Sequence, residues 1–442
     1  MQPPRSVEEV KGRLETTEKG GFRNSIRNCL TVFQCDPLLS GAVARNLLTD
    51  RTDLVKPIGY KRTGSAMTDT DMKYLLLYLE ETYGLTSEKK IETALGIVAN
   101  ENAYHPVRDY LNSLVWDGTE RIRFCLWHFL GANADEYVYQ ALRLFLLGAI
   151  HRAFSPGCKF EVMLCLVGGQ GAGKSTFFRL LAVRDEWFSD DLKKLDDDNV
   201  YRKLQGHWII EMSEMIAAAN AKSIEEIKSF LSRQKEVYKI PYETHPEDRP
   251  RQCVFGGTSN APDFLPLDRT GNRRFLPVLT RPEEAEVHIL ADEAASRAYI
   301  DQLWAEAMTL YRAGTARLTL SPEMVRHLKE YQQDFMPEDT KAGMVQAYLD
   351  GYTGNAVCSK QIYREALNHP YDEPKQWEIR EINDIMHHSI TGWKYFSNPR
   401  MFPEYGRQKG WERETAATDN DNGAGKMSDG FVEVSEQMEL PF

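Results

Sequence analysis

The residues with the plainest chemistry lie in the stretch FEVMLCLVGGQGAGKSTFFRLL, residues 160–181. Gly168, Gly173, Lys174 and Ser175 fit the pattern G-x-x-x-x-G-K-[ST]; Gly169, Gln170, Gly171 and Ala172 fill the variable positions, and Thr176 follows. A glycine-rich loop of this kind can aim successive backbone N–H groups at a polyphosphate, and the partial positive charge of a following helix N-terminus falls on the same spot. The pattern assigns Lys174 to the β- and γ-phosphates of ATP and the Ser175 hydroxyl to Mg²⁺. Positioning such a loop takes a buried strand before it and a helix after it. The apolar run Val162, Met163, Leu164, Cys165, Leu166, Val167 supplies the first, and Phe177, Phe178, Leu180 and Leu181 fall at helical spacing for the second.

Two further strand-like runs end in polar groups that a bound nucleotide would need. HWIIEMSE (207–214) reads as a buried strand ending in acid. A carboxylate at the tip of a strand beside the loop is where nucleotide-bound Mg²⁺ and an attacking water must be held, so Glu211 and Glu214 are both candidates. QCVFGGTSN (252–260) ends in Asn260, whose amide can orient the water that attacks the γ-phosphate. The segments 237–242 and 252–255 flank a polar turn, which predicts a hairpin bearing Lys239, Tyr242, His245 and Arg249. SIEEIKSFLSRQ (223–234) has helical spacing and a capping box at Ser223 and Glu226. DRTGNRRFLPV (268–278) sets Arg269, Arg273 and Arg274 on a turn before an apolar run.

The composition bounds the rest. At 442 residues and 42% hydrophobic content the chain can form two or three domains with real cores. No apolar stretch approaches the roughly 20 residues of a membrane span, and no signal-peptide pattern opens the chain. Seven scattered cysteines without a C-x-x-C pair read as reduced thiols, which predicts a cytoplasmic protein. A net charge of -11 argues against a uniformly basic surface and leaves room for a local basic channel.

Taken in order, GGQGAGKST, HWIIEMSEM, IKSFLSRQ, PYETHPEDRPRQCVFGGTSN and DRTGNRRFLPV resemble the virulence-associated E family of phage and pathogenicity-island replication proteins, which look like superfamily 3 helicases of the AAA+ type. The similarity reaches upstream through HPVRDYLNSLVWDG. It implies an α/β P-loop NTPase core, with 168–176 as the Walker A loop, Glu211 as the Walker B acid beside Glu214, and Asn260 as the sensor. It also implies an arginine finger acting on the neighbouring subunit's nucleotide, Arg274 first and Arg273 second. The hairpin would grip DNA inside a homo-oligomeric ring, a hexamer. Too little sequence precedes the loop for a primase domain, so priming is expected from a separate protein.

The full expected organisation is an arm (1–23), a helical N-terminal domain (24–155), the ATPase core (156–281), a helical lid and linker (282–345), a small winged-helix-like domain (346–413) and a disordered acidic tail (414–442). In the winged-helix reading, the second helix would dock in a DNA major groove. The tail ends in Gln437, Met438, Leu440 and Phe442, which fit Q-x-x-L-x-F and resemble the peptide that bacterial replication proteins insert into the sliding clamp. The expected function is an ATP-dependent DNA helicase or replication initiator of a phage or mobile element, acting on single-stranded or origin duplex DNA. The alternative is a nucleotide-binding switch that binds a host replication protein without unwinding DNA; a small-molecule kinase is disfavoured because no substrate site is evident.

Overall fold

An apolar run with no alternation needs a sheet covered on both faces. The computed structural model, which describes residues 6–192, 195, 200–213, 221–238, 247–267, 272–314 and 317–414, places residues 163–167 in such a sheet. The strands of the first unit, which ends at residue 338, are β1 (Val43–Asn46), β2 (Arg51–Leu54), β3 (Met163–Val167), β4 (Phe188–Ser189), β5 (Ile209–Ser213), β6 (Lys235–Tyr238), β7 (Glu247–Pro250), β8 (Val254–Ser259) and β9 (Phe275–Leu279). Five of them form one parallel sheet in the order β4-β5-β8-β3-β9. The chain is thus a mixed α/β protein.

Parallel neighbours need crossovers, and helices supply them. Lys174–Leu181 leads from β3 towards β4, and Ala221–Leu231 lies between β5 and β8. On one face of the sheet, Leu164, Leu166, Ile209, Val254, Leu276 and Val278 pack with Phe177 and Phe178 and with the helices Glu136–Phe154 and Glu293–Arg312. On the other, Met163, Cys165, Val167, Ile210, Met212 and Phe255 meet Ile224, Ile227, Phe230 and Leu231. Every residue of β3 is buried because its side chains alternate between these two cores. Trp304 locks the first core: its ring lies 4.4 Å from that of Trp208, and its indole N–H donates to Leu181 O at 2.9 Å. Trp304→Ala would cost about 3–5 kcal/mol, the usual penalty for emptying a buried aromatic site.

Two local readings change. The region 24–155 is mainly helical, with Asp69–Tyr83 and Glu88–Glu101 where the spacing puts helices, but β1 and β2 make an antiparallel ribbon within it. Its four-residue arms carry Arg45, Asn46, Arg51 and Asp53, too polar and too short to read as strands. The predicted hairpin exists, yet its return arm is β7, paired Lys235↔Pro250 to Tyr238↔Glu247, while residues 254–259 belong to the central sheet. The charged β7 is a weaker strand signal than the apolar β8.

The second unit begins at Asp339. It runs through the helix Thr340–Gly351, β10 (Ala356–Cys358), the helical turns Ser359–Gln361 and Ile362–Ala366, the helix Gln376–His388, then β11 (Trp393–Phe402) and β12 (Gly406–Arg413). The three strands form an antiparallel sheet in the order β10-β12-β11 over a core of Val345, Leu349, Ile362, Ile382, Ile385 and Trp411. Among the described residues no helix is long and apolar enough to cross a membrane.

Candidate functional site

The loop after β3, the end of β5 and the end of β8 all open on the same edge of the sheet, because the three strands are parallel and adjacent. Two glycines shape the loop. Gly173 adopts φ 75°, the left-handed conformation that feeds the chain into the helix Lys174–Leu181. Gly168 lies so close to Thr280 that a Cβ would sit 2.3 Å from the threonine Oγ1, so no larger residue fits. Thr280 is itself held down, its hydroxyl donating to Val167 O at 3.0 Å.

Lys174 is buried, and its Nζ donates to Gly168 O and Gly169 O, each at 2.7 Å, and to Asn260 Oδ1 at 3.0 Å. Burial pushes its pKa below the ordinary lysine value, opposed by the charge of Glu211. The ammonium is therefore parked on two loop carbonyls and an amide, all neutral acceptors that a phosphate oxygen would readily displace. The Glu211 carboxylate is 1% exposed. Its Oε1 accepts from the Ser175 hydroxyl at 2.7 Å and from the Thr258 hydroxyl at 2.6 Å. Its Oε2 is buried and has no hydrogen-bond partner among the described residues. A buried carboxylate oxygen without a partner calls for an explanation, and a bound cation or ordered water is the usual one.

Lys174, Ser175, Thr258 and Asn260 line a cleft of about 630 Å³ together with Gln170, Gly171, Ala172, Gly173, Thr176, Ser213, Ser259, His288 and Leu290, and Glu211 lies behind Ser175 and Thr258. Its backbone N–H groups and the Lys174 ammonium suit an anionic ligand. The fit to Mg²⁺ can be judged from the donors. Mg²⁺ takes oxygen ligands and keeps several waters and phosphate oxygens, so one hydroxyl and one carboxylate suffice from the protein. Ser175 and Glu211 are such a pair, and Glu211 has an oxygen to spare. No cluster of three or more His, Cys, Asp or Glu side chains suited to a metal occurs among the described residues.

The structure thus brings Lys174, Ser175, Glu211 and Asn260 together. Arg273 and Arg274 are elsewhere: they precede β9, and Arg274 O accepts from Met163 N at 2.8 Å at the start of β3. The Arg274 guanidinium pairs with Glu161 at 3.0 Å and its Nε donates to Ser232 Oγ at 3.2 Å. Arg249, expected on a DNA-gripping hairpin, lies at the hairpin base in an ion pair with Asp50 of the β1–β2 turn, which also holds Arg45. Glu214, Lys239, Tyr242, His245 and the peptide 437–442 lie outside the described residues. Sequence reasoning missed the role of Thr258. A threonine two residues before the candidate amide, on the same strand, is the signal that could have found it.

The model of the virulence-associated protein E-like domain matches residues 111–337, just over half of the chain. The chain belongs to this family. The matched span holds the loop, Glu211, Thr258, Asn260 and both arginines of this virulence-associated E-like chain. Among solved structures, it resembles the apo structure of the NrS-1 C-terminal region (305–718) with a TM-score of 0.45 and 14% identity, over 88% of this chain and 99% of that one. An A-form apo structure of the same region gives a TM-score of 0.44 and 12% identity, over 84% and 96%. No curated protein matches.

Proposed function

We propose that the chain is an ATP-dependent, ring-forming DNA helicase or replication initiator of a phage or mobile genetic element. The observation that carries this reading is the cleft itself: a lysine, a serine hydroxyl, a buried carboxylate with an unpartnered oxygen, and an amide converge on one edge of a parallel sheet. ATP would lie along the loop, its phosphates on the N–H groups of 169–175, and Lys174 would exchange its carbonyl acceptors for phosphate oxygens. Mg²⁺, bound with the nucleotide, supplies charge neutralisation on the β- and γ-phosphates and would be held by Ser175 and Glu211. Thr258 fixes the Glu211 carboxylate, and Asn260 has an amide free to orient a water once Lys174 turns to phosphate. Glu214 stays a second candidate for water activation. Family membership supports the replication-related setting.

The position of the arginines supports an oligomer. Arg274 lies at the start of β9 and β3, whereas the loop leaves the end of β3, five residues on. At about 3.3 Å per residue the two are some 15 Å apart along the strand, beyond the reach of one guanidinium to its own chain's nucleotide. An arginine finger here therefore serves the next protomer, where spreading transition-state charge is worth on the order of 10³-fold in rate.

DNA-stimulated ATP hydrolysis and nucleotide-dependent oligomers in light scattering are expected, with hydrolysis abolished by Lys174→Ala. A strictly monomeric protein whose hydrolysis ignores DNA would contradict the reading. The peptide 437–442 is proposed to bind the sliding clamp: its deletion should abolish clamp pull-down and leave ATPase activity intact.

A further inference from the structure

The second unit has an uncovered surface that nucleotide hydrolysis does not use. Its order is helix, strand, helical turns, helix, then the two-stranded ribbon β11–β12, with β10 pairing to β12. In a unit of this kind the helix before the ribbon would be the natural reader of a DNA groove. Here that helix, Gln376–His388, carries Glu378, Glu381 and Asp384 against Arg380 alone. Glu381 is tied to Lys341 at 2.7 Å and Asp384 to His388 at 3.0 Å. An acidic helix of this composition would repel phosphates.

The ribbon has the opposite balance. Residues 393–413 hold Lys394, Arg400, Arg407, Lys409 and Arg413 against Glu404 and Glu412. Arg413 is used by the fold, donating to Leu349 O and Tyr352 O, and Arg400 is paired with Glu412 at 2.6 Å. Arg407 and Lys409 are exposed, and both fall on the side of β12 that carries Trp411. Near the base of the ribbon that side packs on the unit's core through Trp411 and Trp393. Towards the tip it has no cover among the described residues, and Met401, directly opposite Arg407, is 74% exposed. The other side keeps its own small cluster of Phe396, Phe402 and Cys358. A break in register between Phe396 and Arg400 bends the ribbon just below this tip.

An exposed methionine opposite an arginine, with a second cation two residues along, suits a nucleic-acid groove better than a protein partner. The cations meet phosphates, Arg407 fits the negative potential of a narrow minor groove, and an apolar side chain can wedge against a base step. We propose that the second unit binds duplex DNA through the tip of the β11–β12 ribbon, with Arg407 and Met401 at the minor groove and Lys409 on the backbone, and not through the helix Gln376–His388. This contact needs no nucleotide, so it stands or falls separately from the ATPase reading.

The test uses the full chain without nucleotide and a short labelled duplex, read by fluorescence anisotropy over a salt series. Arg407→Glu with Lys409→Glu should weaken binding by about tenfold or more and flatten the salt dependence by roughly two phosphate contacts. Arg380→Ala on the helix should change affinity less than about twofold, and basal ATP hydrolysis should be unchanged in both variants. Amide exchange on adding duplex should show protection at 400–409 and none at 376–388. Unchanged binding by the double variant, or protection on the helix in place of the ribbon, would overturn the proposal. So would ribbon protection that is present without DNA and lost on removing 415–442, because the acidic tail would then be the occupant.

Discussion

At the C-terminal edge of the parallel sheet, Lys174, Ser175, Glu211, Thr258 and Asn260 bond mostly to one another, and one carboxylate oxygen has no partner among the described residues. At the N-terminal edge of the same strands the polar groups are bonded to the scaffold. Arg274 is held by Glu161 and Ser232, and Gln252, just before β8, bridges His105 and Leu47 O. One edge keeps its bonds exchangeable for a ligand, and the other ties the N-terminal region to the core and holds Arg274 half-buried in an ion pair. The difference teaches that the groups gathered around the loop can exchange partners, whereas Arg274 is held in the scaffold at the opposite edge, where the proposed finger role would have to be exerted on another chain.

The sharpest way to break this comparison is to disarm the first edge. Glu211→Gln should lower ATP hydrolysis by about 10³-fold while nucleotide still binds in a filter or fluorescence assay, because the loop and Lys174 are untouched. Loss of nucleotide binding in parallel would make Glu211 a structural residue. Disarming the second edge should give a smaller loss: Arg274→Ala should reduce hydrolysis by about 10²- to 10³-fold with nucleotide affinity unchanged, and Arg273→Ala should reduce it less. Removing only the hydroxyl that fixes the carboxylate, by Thr258→Val, should lower kcat by about tenfold, with KM nearly constant.

The smallest expected effect belongs to the scaffold edge. His105 is buried, its Nδ1 accepts from Arg108 N, and its Nε2 therefore donates to Gln252 Oε1 at 2.7 Å. Burial, with the charge of Arg108, lowers its pKa from 6.5 to about 4 against the pull of Gln252. The unfolded chain then takes up this proton before the folded one as pH falls. Stability should drop between pH 6.5 and about 4, by at most about 3 kcal/mol from this group. Denaturant melts across that window should be flatter in His105→Asn.

Much of the first edge was legible in the sequence, because its chemistry is local. Gly168, Lys174 and Ser175 are fixed by spacing within one loop, and Glu211 and Asn260 each sit near the end of an apolar run. What was not legible depends on contacts made across the fold. Thr258 matters because β5 and β8 are neighbours, and Thr280 because β9 brings it against Gly168. The β1–β2 ribbon and the β7 arm are short and polar, and the Asp50–Arg249 ion pair joins them. The partner of Arg274 within the chain, Glu161, was hidden because residues 113 positions apart are joined only once β3 and β9 lie side by side.

The central claim is that the pocket and the finger act across two chains, and subunit mixing tests it most directly. Lys174→Ala and Arg274→Ala proteins, each inactive in ATP hydrolysis alone, should regain a measurable fraction of wild-type turnover when mixed, because some junctions pair an intact loop with an intact arginine. No recovery at any mixing ratio, with both variants folded and co-assembling, would contradict the account.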